Sequence, residues 1–235
     1  MKELAKIVDL FFPSYCFSCS KKLGEENIIC DSCRQKIEFI EKNICEKCGT
    51  LLENSNCDMC AETNYDFDQA RSIFKYEGVI KDLIHCFKYD EKTKISNIFA
   101  EYAVDYLGKI DFIDDDYLFV PVPLHKVKHK MRGFNQAELI ANSIANLSGN
   151  KVKKSIIKRN RFTKTQTKLG KVARIKNLES AFSFSKKFDF RNKKFLIIDD
   201  VFTTGTTVNE IAKLLKVHQA KKIKILTIAR AKHDS

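Results

Sequence analysis

The run Phe195-Leu-Ile-Ile-Asp-Asp-Val-Phe-Thr-Thr-Gly-Thr-Thr207 limits the possible folds of this 235-residue chain more than any other stretch. Its apolar start reads as a central strand of a parallel sheet, and ligands of such sheets bind beyond the carboxyl ends of the strands. There the chain delivers Asp199 and Asp200, then a Thr-Thr-Gly-Thr-Thr turn, then a helix beginning at Thr206. A helix start offers free N–H groups and a partial positive charge. Gly205 permits close backbone approach, and Thr203, Thr204, Thr206 and Thr207 add hydroxyl donors. That is a cradle for a phosphate monoester. The two acids suit neighbouring sugar hydroxyls, so a ribose 5-phosphate meets both requirements. The blander alternative has the threonines merely capping the helix. Two carboxylates ending a buried strand weigh against it, because both need partners.

The rest of the second half and much of the first alternate between the two periods. Strands are expected at Ala70–Tyr76, Leu118–Val122 and Ile223–Ala229, and helices at Val79–Phe87, Ile98–Leu107, Phe134–Leu147 and Thr206–Val217. Strands alternating with helices predict an α/β fold with a parallel sheet covered on both faces. Asp31–Lys42 also has helical spacing, and Met1–Phe12 reads as an amphipathic helix rather than a secretory signal. With 44% hydrophobic residues the chain can build a core, and no apolar run reaches the 18 residues that membrane insertion needs. The polar stretch Glu62–Asp66 is expected to link a module at 1–65 to a larger domain at 66–235.

Eight of the nine cysteines form four Cys-x-x-Cys pairs: Cys16/Cys19, Cys30/Cys33, Cys45/Cys48 and Cys57/Cys60. Without a secretory signal this spacing predicts metal binding, and the cytoplasm as compartment. Eight thiolates suit two tetrahedral Zn²⁺ ions, each closed by four sulfurs and therefore structural. Sequential pairing is favoured, joining the first pair to the second and the third to the fourth. The interleaved scheme is the alternative. Redox dithiols and iron–sulfur clusters fit four serial pairs less well. Cys86 stands alone and is expected to act as a small buried hydrophobe.

Charge is divided unequally. Residues 1–120 hold 15 Lys and Arg against 23 Asp and Glu, whereas 121–235 hold 27 against 7. Within 126–176 there are 15 basic residues and one acid, Glu138. The asymmetry points to an anionic ligand or partner, with a solvated basic face as the plain alternative.

The Asp199–Thr207 stretch resembles the 5-phosphoribosyl 1-pyrophosphate (PRPP) motif of type I phosphoribosyltransferases. Val120-Pro-Val-Pro-Leu-His125, Arg132-Gly-Phe-Asn-Gln136 and the spaced residues Arg159, Thr165, Gln166, Leu169, Arg174, Asn177, Ala181 and Phe182 resemble the signature of the ComF family, which also carries cysteine pairs ahead of that domain. The resemblance implies a type I phosphoribosyltransferase fold behind a double zinc ribbon. It assigns Asp199 and Asp200 to the ribose hydroxyls, and Thr203, Thr204, Gly205, Thr206 and Thr207 to the 5-phosphate. Mg²⁺ would accompany the pyrophosphate, and the cellular role would be DNA uptake in natural transformation, alongside other competence proteins.

Arg132 and Gly133 can supply a guanidinium and an N–H to the pyrophosphate, and Lys88 and Tyr89 are further candidates for it. Gln166, Arg174 and Asn177 are expected over the site. Two functions follow. One is a PRPP-binding factor that contacts single-stranded DNA through the basic 126–176 segment. The other is an active phosphoribosyltransferase of nucleotide or nucleobase metabolism. A general base is optional in that chemistry, whose cation-like transition state is stabilised electrostatically.

Overall fold

The computed structural model describes residues 14–24, 27–87, 92–160 and 181–232. The expected Met1–Phe12 helix lies outside them. Five strands, β1 (Gln69–Lys75), β2 (Tyr117–Pro121), β3 (Lys151–Val152), β6 (Lys194–Phe202) and β7 (Lys222–Arg230), form one sheet in the order β1-β7-β6-β2-β3. Every neighbouring pair is parallel. Two short strands, β4 (Ile157–Arg159) and β5 (Phe182–Phe184), make a separate antiparallel pair.

Side-chain alternation along the strands divides the core in two. One face gathers Phe119, Leu196, Ile198, Leu226 and Ile228 under α3 (Gly78–Phe87), α4 (Lys92–Lys109) and α6 (Gln136–Ser148). The other gathers Val120, Phe195, Ile197, Ile223 and Ile225 under α7 (Thr206–Val217) and the β4–β5 pair. In α7, Val208, Ile211, Ala212 and Leu215 are buried, a three-and-four spacing that lays one stripe on the sheet. Among the described residues no helix is long and apolar enough to cross a membrane.

The cysteine-rich segment straddles the sheet. Cys16, Cys30 and Cys33 belong to the first face's core, and Cys48 and Met59 to the second's. Between them the chain pairs with the outer edge of β1: Ile40 N–H donates to the Ile73 carbonyl at 2.9 Å and Lys75 N–H to the Glu38 carbonyl at 3.2 Å. An exposed strand edge is thereby covered. This pairing also corrects the reading of Asp31–Lys42 as a helix. Only α1 (Asp31–Arg34) is helical, and Ile37 and Ile40 reach the core from the extended segment that follows. Edge pairing overrides a weak helical pattern there. α2 (Asp58–Glu62) follows the last cysteine pair.

The Glu62–Asp66 stretch is not a free tether. Tyr65 is buried and stacks on Phe67 at 4.7 Å, and Asp66 N–H donates to the Asn209 side chain of α7 at 2.6 Å.

Candidate active site and metal clusters

The site arises where neighbouring strands part. β2 stays paired with β6 only to Pro121, opposite Ile198, and Val122 N–H takes the Ile198 carbonyl at 2.9 Å. β6 runs on beside β7 through Asp199, Val201 and Phe202. Asp199 and Asp200 thus lie inside the strand rather than past its end, with the β2 side open beside them. The helix after β2 covers one face and the helix after β6 covers the other, so the gap is a topological switch point, where open parallel sheets bind ligands.

A cleft of about 220 Å³ occupies that gap. Asp199, Asp200 and Thr207 line one side. Facing them are Lys128 and Arg132 of α5 (Lys126–Arg132), Asn135, Gln136 and Arg159. The sequence pattern had not singled out α5 as a helix. His125 starts it by accepting the Val127 N–H at 3.2 Å, and Gly133 ends it at φ +76° with its N–H on the His129 carbonyl at 2.7 Å. Gly133 therefore turns the chain and leaves Arg132 at the cleft, its own N–H already taken.

Asp199 is electrostatically tense. Asp199 is held well above the usual carboxylate range, first by burial and then by the charge of Asp200. The Asp200 N–H donates to Asp199 Oδ1 at 3.0 Å, and the Val201 N–H to Asp200 Oδ1 at 2.8 Å. Arg159 eases the charge on Asp199, while burial pulls the guanidinium below its ordinary value. A carboxyl group in that state is prepared for a hydroxyl or a cation.

The loop that follows turns on Gly205, at φ +71° and with no side-chain cap for α7. The Thr204 and Thr206 hydroxyls bond each other at 2.7 Å. A Cβ on Gly205 would lie 2.4 Å from the Phe202 ring. Gly205→Ala is therefore expected to cost about 2–4 kcal/mol from left-handed strain plus overpacking. Thermal denaturation reads this directly, and an unchanged midpoint would contradict the loop geometry.

Lys88, Tyr89, Gln166, Arg174 and Asn177 lie outside the described residues. Sequence reasoning did not select Lys128, Asn135, Gln136 or Arg159 for the cleft. Gln136 is 3% exposed, and its Nε2 has no hydrogen-bond partner among the described residues. Its signal was present in the Arg132–Gln136 motif, but a side chain's aim depends on how α6 leaves α5. Asn135 fixes that junction by donating to the Val122 carbonyl at 3.0 Å.

The cysteines assemble in the sequential scheme. Cys16, Cys19, Cys30 and Cys33 form one cluster and Cys45, Cys48, Cys57 and Cys60 the other, the sulfurs of each within 4.8 Å of one another. The Cys19–Cys30, Cys45–Cys60 and Cys48–Cys57 sulfurs are 3.6, 3.7 and 3.4 Å apart. Tetrahedral Zn–S bonds of about 2.3 Å place sulfurs about 3.8 Å apart, whereas a disulfide needs about 2.05 Å. The thiols also resist ionising together. Cys30 is pulled down to about 6 by the Ser32 hydroxyl and the Cys33 backbone, while burial and neighbouring sulfurs push Cys33 up to about 12. The donor set and spacing fit a structural dication.

A doubly covered parallel sheet with two acids and a threonine-rich loop at its switch point defines a protein of the phosphoribosyltransferase fold. Residues 130–235 match the phosphoribosyl transferase domain family and residues 7–64 the double zinc ribbon domain family.

The chain belongs to the ComF family. It is 30% identical over 230 residues to competence protein F of Haemophilus influenzae, covering 94% of this chain and 99% of that protein. Competence protein ComFC of Bacillus subtilis is 28% identical over 217 residues, covering 89% and 87%. DNA utilization protein YhgH of Escherichia coli K12 is 26% identical over 227 residues, covering 94% and 99%. Among solved structures, a hypoxanthine phosphoribosyltransferase from Staphylococcus aureus aligns at 17% identity with a TM-score of 0.36, covering 62% of this chain and 70% of that one.

Proposed function

We propose that the cleft binds PRPP with Mg²⁺, and that the protein uses this site in handling DNA during natural transformation, in the cytoplasm and with other competence proteins. In this reading residues 1–65 form a module holding two Zn²⁺ ions, and residues 66–235 carry the PRPP-binding domain. The carrying observation is the pairing of Asp199 and Asp200 with an uncapped helix start at Gly205, on one side of a cleft whose other side presents Lys128 and Arg132.

The 5-phosphate would sit on the Thr203–Thr207 backbone and hydroxyls, and the ribose hydroxyls on Asp199 and Asp200. The pyrophosphate would face Arg132, Lys128 and the Gln136 amide, where two cations suit its charge. Mg²⁺ would neutralise further charge on the pyrophosphate. The resemblance to competence proteins F and ComFC supports the cellular role. A co-crystal with PRPP and Mg²⁺ tests the placement. The phosphate monoester is expected within hydrogen-bond distance of the Thr203–Thr207 N–H groups, and density only on exposed lysines would overturn it.

Single-stranded DNA contact is proposed for the basic 126–176 segment, of which residues 126–160 are described. Met131 of α5 is 81% exposed and the helix has no buried residue, so it stands clear of the core. Backbone contacts without base specificity are expected. Affinity should then fall on a log–log plot against salt, with a slope of roughly −0.7 per phosphate neutralised. A fluorescence titration of an oligonucleotide at several salt concentrations checks this, and no binding at low salt removes direct DNA contact.

The second reading, a working transferase of nucleotide or nucleobase metabolism, is favoured by the same intact acid pair. Turnover of isotope-labelled PRPP with candidate bases separates the two.

A further inference from the structure

The two cysteine clusters differ in what they touch, and the difference reaches the phosphate loop. The first is tied to helices on one face of the sheet. Ser18 donates to Asp82 of α3 at 2.6 Å, and Arg34 to the Tyr102 hydroxyl of α4 at 3.3 Å. The second is tied to the end of β7. Arg230, 5% exposed, donates from one nitrogen to the Cys48 carbonyl and from the other to the Thr50 hydroxyl at 3.0 Å. The same guanidinium lies 4.0 Å from the centre of the Phe202 ring. That ring fills the space beneath Gly205, and Tyr65 and Phe67 pack against its edge at 6.3 Å. Tyr65, five residues beyond the last ligand cysteine, donates its hydroxyl to the Thr204 carbonyl at 3.0 Å.

We propose that Arg230 and Tyr65 couple the second cysteine cluster to the phosphate loop, so that a sugar phosphate bound at Thr203–Thr207 and a metal held by Cys45, Cys48, Cys57 and Cys60 stabilise each other. The inference rests on reading Thr203–Thr207 as a phosphate loop and adds a means of regulating it. A dication among four thiolates keeps two net negative charges, and that charge favours the buried guanidinium beside it. Arg230 in turn holds Phe202, and Phe202 fixes the left-handed turn that aims the loop's N–H groups. Removing the metal frees the Cys45–Gly49 knuckle and with it the carbonyl that anchors Arg230. Coupling between two binding sites is reciprocal, so the effect must be measurable from either end. Arg230 and Tyr65 are positioning residues, since both act through the loop.

The test uses the full, zinc-loaded chain with ribose 5-phosphate as probe, and a chromogenic chelator to follow zinc release. In the wild type, saturating ribose 5-phosphate is expected to slow release of one of the two ions at least fivefold and leave the other unchanged. Tyr65→Phe and Arg230→Lys are expected to weaken ribose 5-phosphate binding about five- to tenfold while retaining two zinc ions, and Arg230→Lys to abolish the protection. Ser18→Ala and Arg34→Ala, which loosen the first cluster's ties, are expected to change affinity by less than twofold.

Wild-type protein that binds ribose 5-phosphate without protecting either ion overturns the coupling and leaves the site reading standing. Equal protection of both ions also overturns it. Wild-type protein that binds no ribose 5-phosphate overturns the site reading itself. Tyr65→Phe removes one oxygen and keeps the ring, so it remains informative if Arg230→Lys fails to fold.

Discussion

A protein carrying Asp199→Asn and Asp200→Asn is expected to lose the proposed PRPP affinity at least 100-fold while remaining folded. The two carboxylates are neighbours within β6, each accepts a backbone N–H from its successor, and both residues line the cleft. Charge-assisted hydrogen bonds to hydroxyls contribute roughly 1.5–3 kcal/mol each. Losing two such contacts accounts for the factor of 100, since each 1.4 kcal/mol is tenfold.

The fold should not suffer, and the sign of the pH effect shows why. Asp199 is held above the ordinary carboxylate value by burial and by Asp200. In the unfolded chain it ionises near 3.9 or about that. Above that pH the folded state opposes ionisation, so the wild-type group costs stability, increasingly until the pH passes its folded value. Asn carries no such cost. Asp199→Asn should therefore be at least as stable as wild type at pH 8, with the advantage shrinking as the pH falls towards about 4 and absent below it. Thermal scans at the two pH values check this. A large loss of stability at pH 8 would mean that the acids serve the fold rather than a ligand.

Stripping both metal ions is expected to lower the thermal midpoint by more than about 10 °C and to expose the edge of β1. Apparent binding energies for structural zinc are about 10–16 kcal/mol per ion, comparable to the whole stability of a domain. The consequence reaches beyond the ribbons because Cys16, Cys30, Cys33 and Cys48 lie in the two cores of the sheet. The segment between the clusters supplies the hydrogen bonds that cover β1 at Ile73 and Lys75. Elemental analysis should find two zinc ions per chain before chelation. Hydrogen exchange should then show faster exchange at the Ile40 and Lys75 amides after it. An unchanged midpoint in metal-free protein would contradict a structural role for the clusters.

The parallel α/β layout was readable because its strands and helices carry strong, opposite periods. Thr206–Val217 coincides with α7 for that reason, its apolar stripe leaving little choice. The four-cysteine groups were readable because two-residue spacing is a local constraint. Three features were not readable, each for a reason of tertiary context. Ile37 and Ile40 mimic a helix, but the chain turns after Arg34 and pairs with β1 from Glu38 to Ile40. Tyr65 sits in a polar stretch that looks like a tether, and only its partner Thr204, 139 residues later, explains its burial. The cleft residues Lys128, Gln136 and Arg159 come from three elements, and nothing in their spacing says that they converge on Asp199. The strand and loop proposed to hold a phosphate are continuous in sequence, whereas the wall opposite is assembled only by folding.

The most direct measurement is calorimetric titration of PRPP into zinc-loaded protein in the presence of Mg²⁺. Saturable binding of one PRPP per chain is expected, together with competition by ribose 5-phosphate, which shares the phosphate loop. A folded, metal-replete sample that shows neither heat nor thermal stabilisation at millimolar PRPP would contradict the assignment of the Asp199–Thr207 cleft.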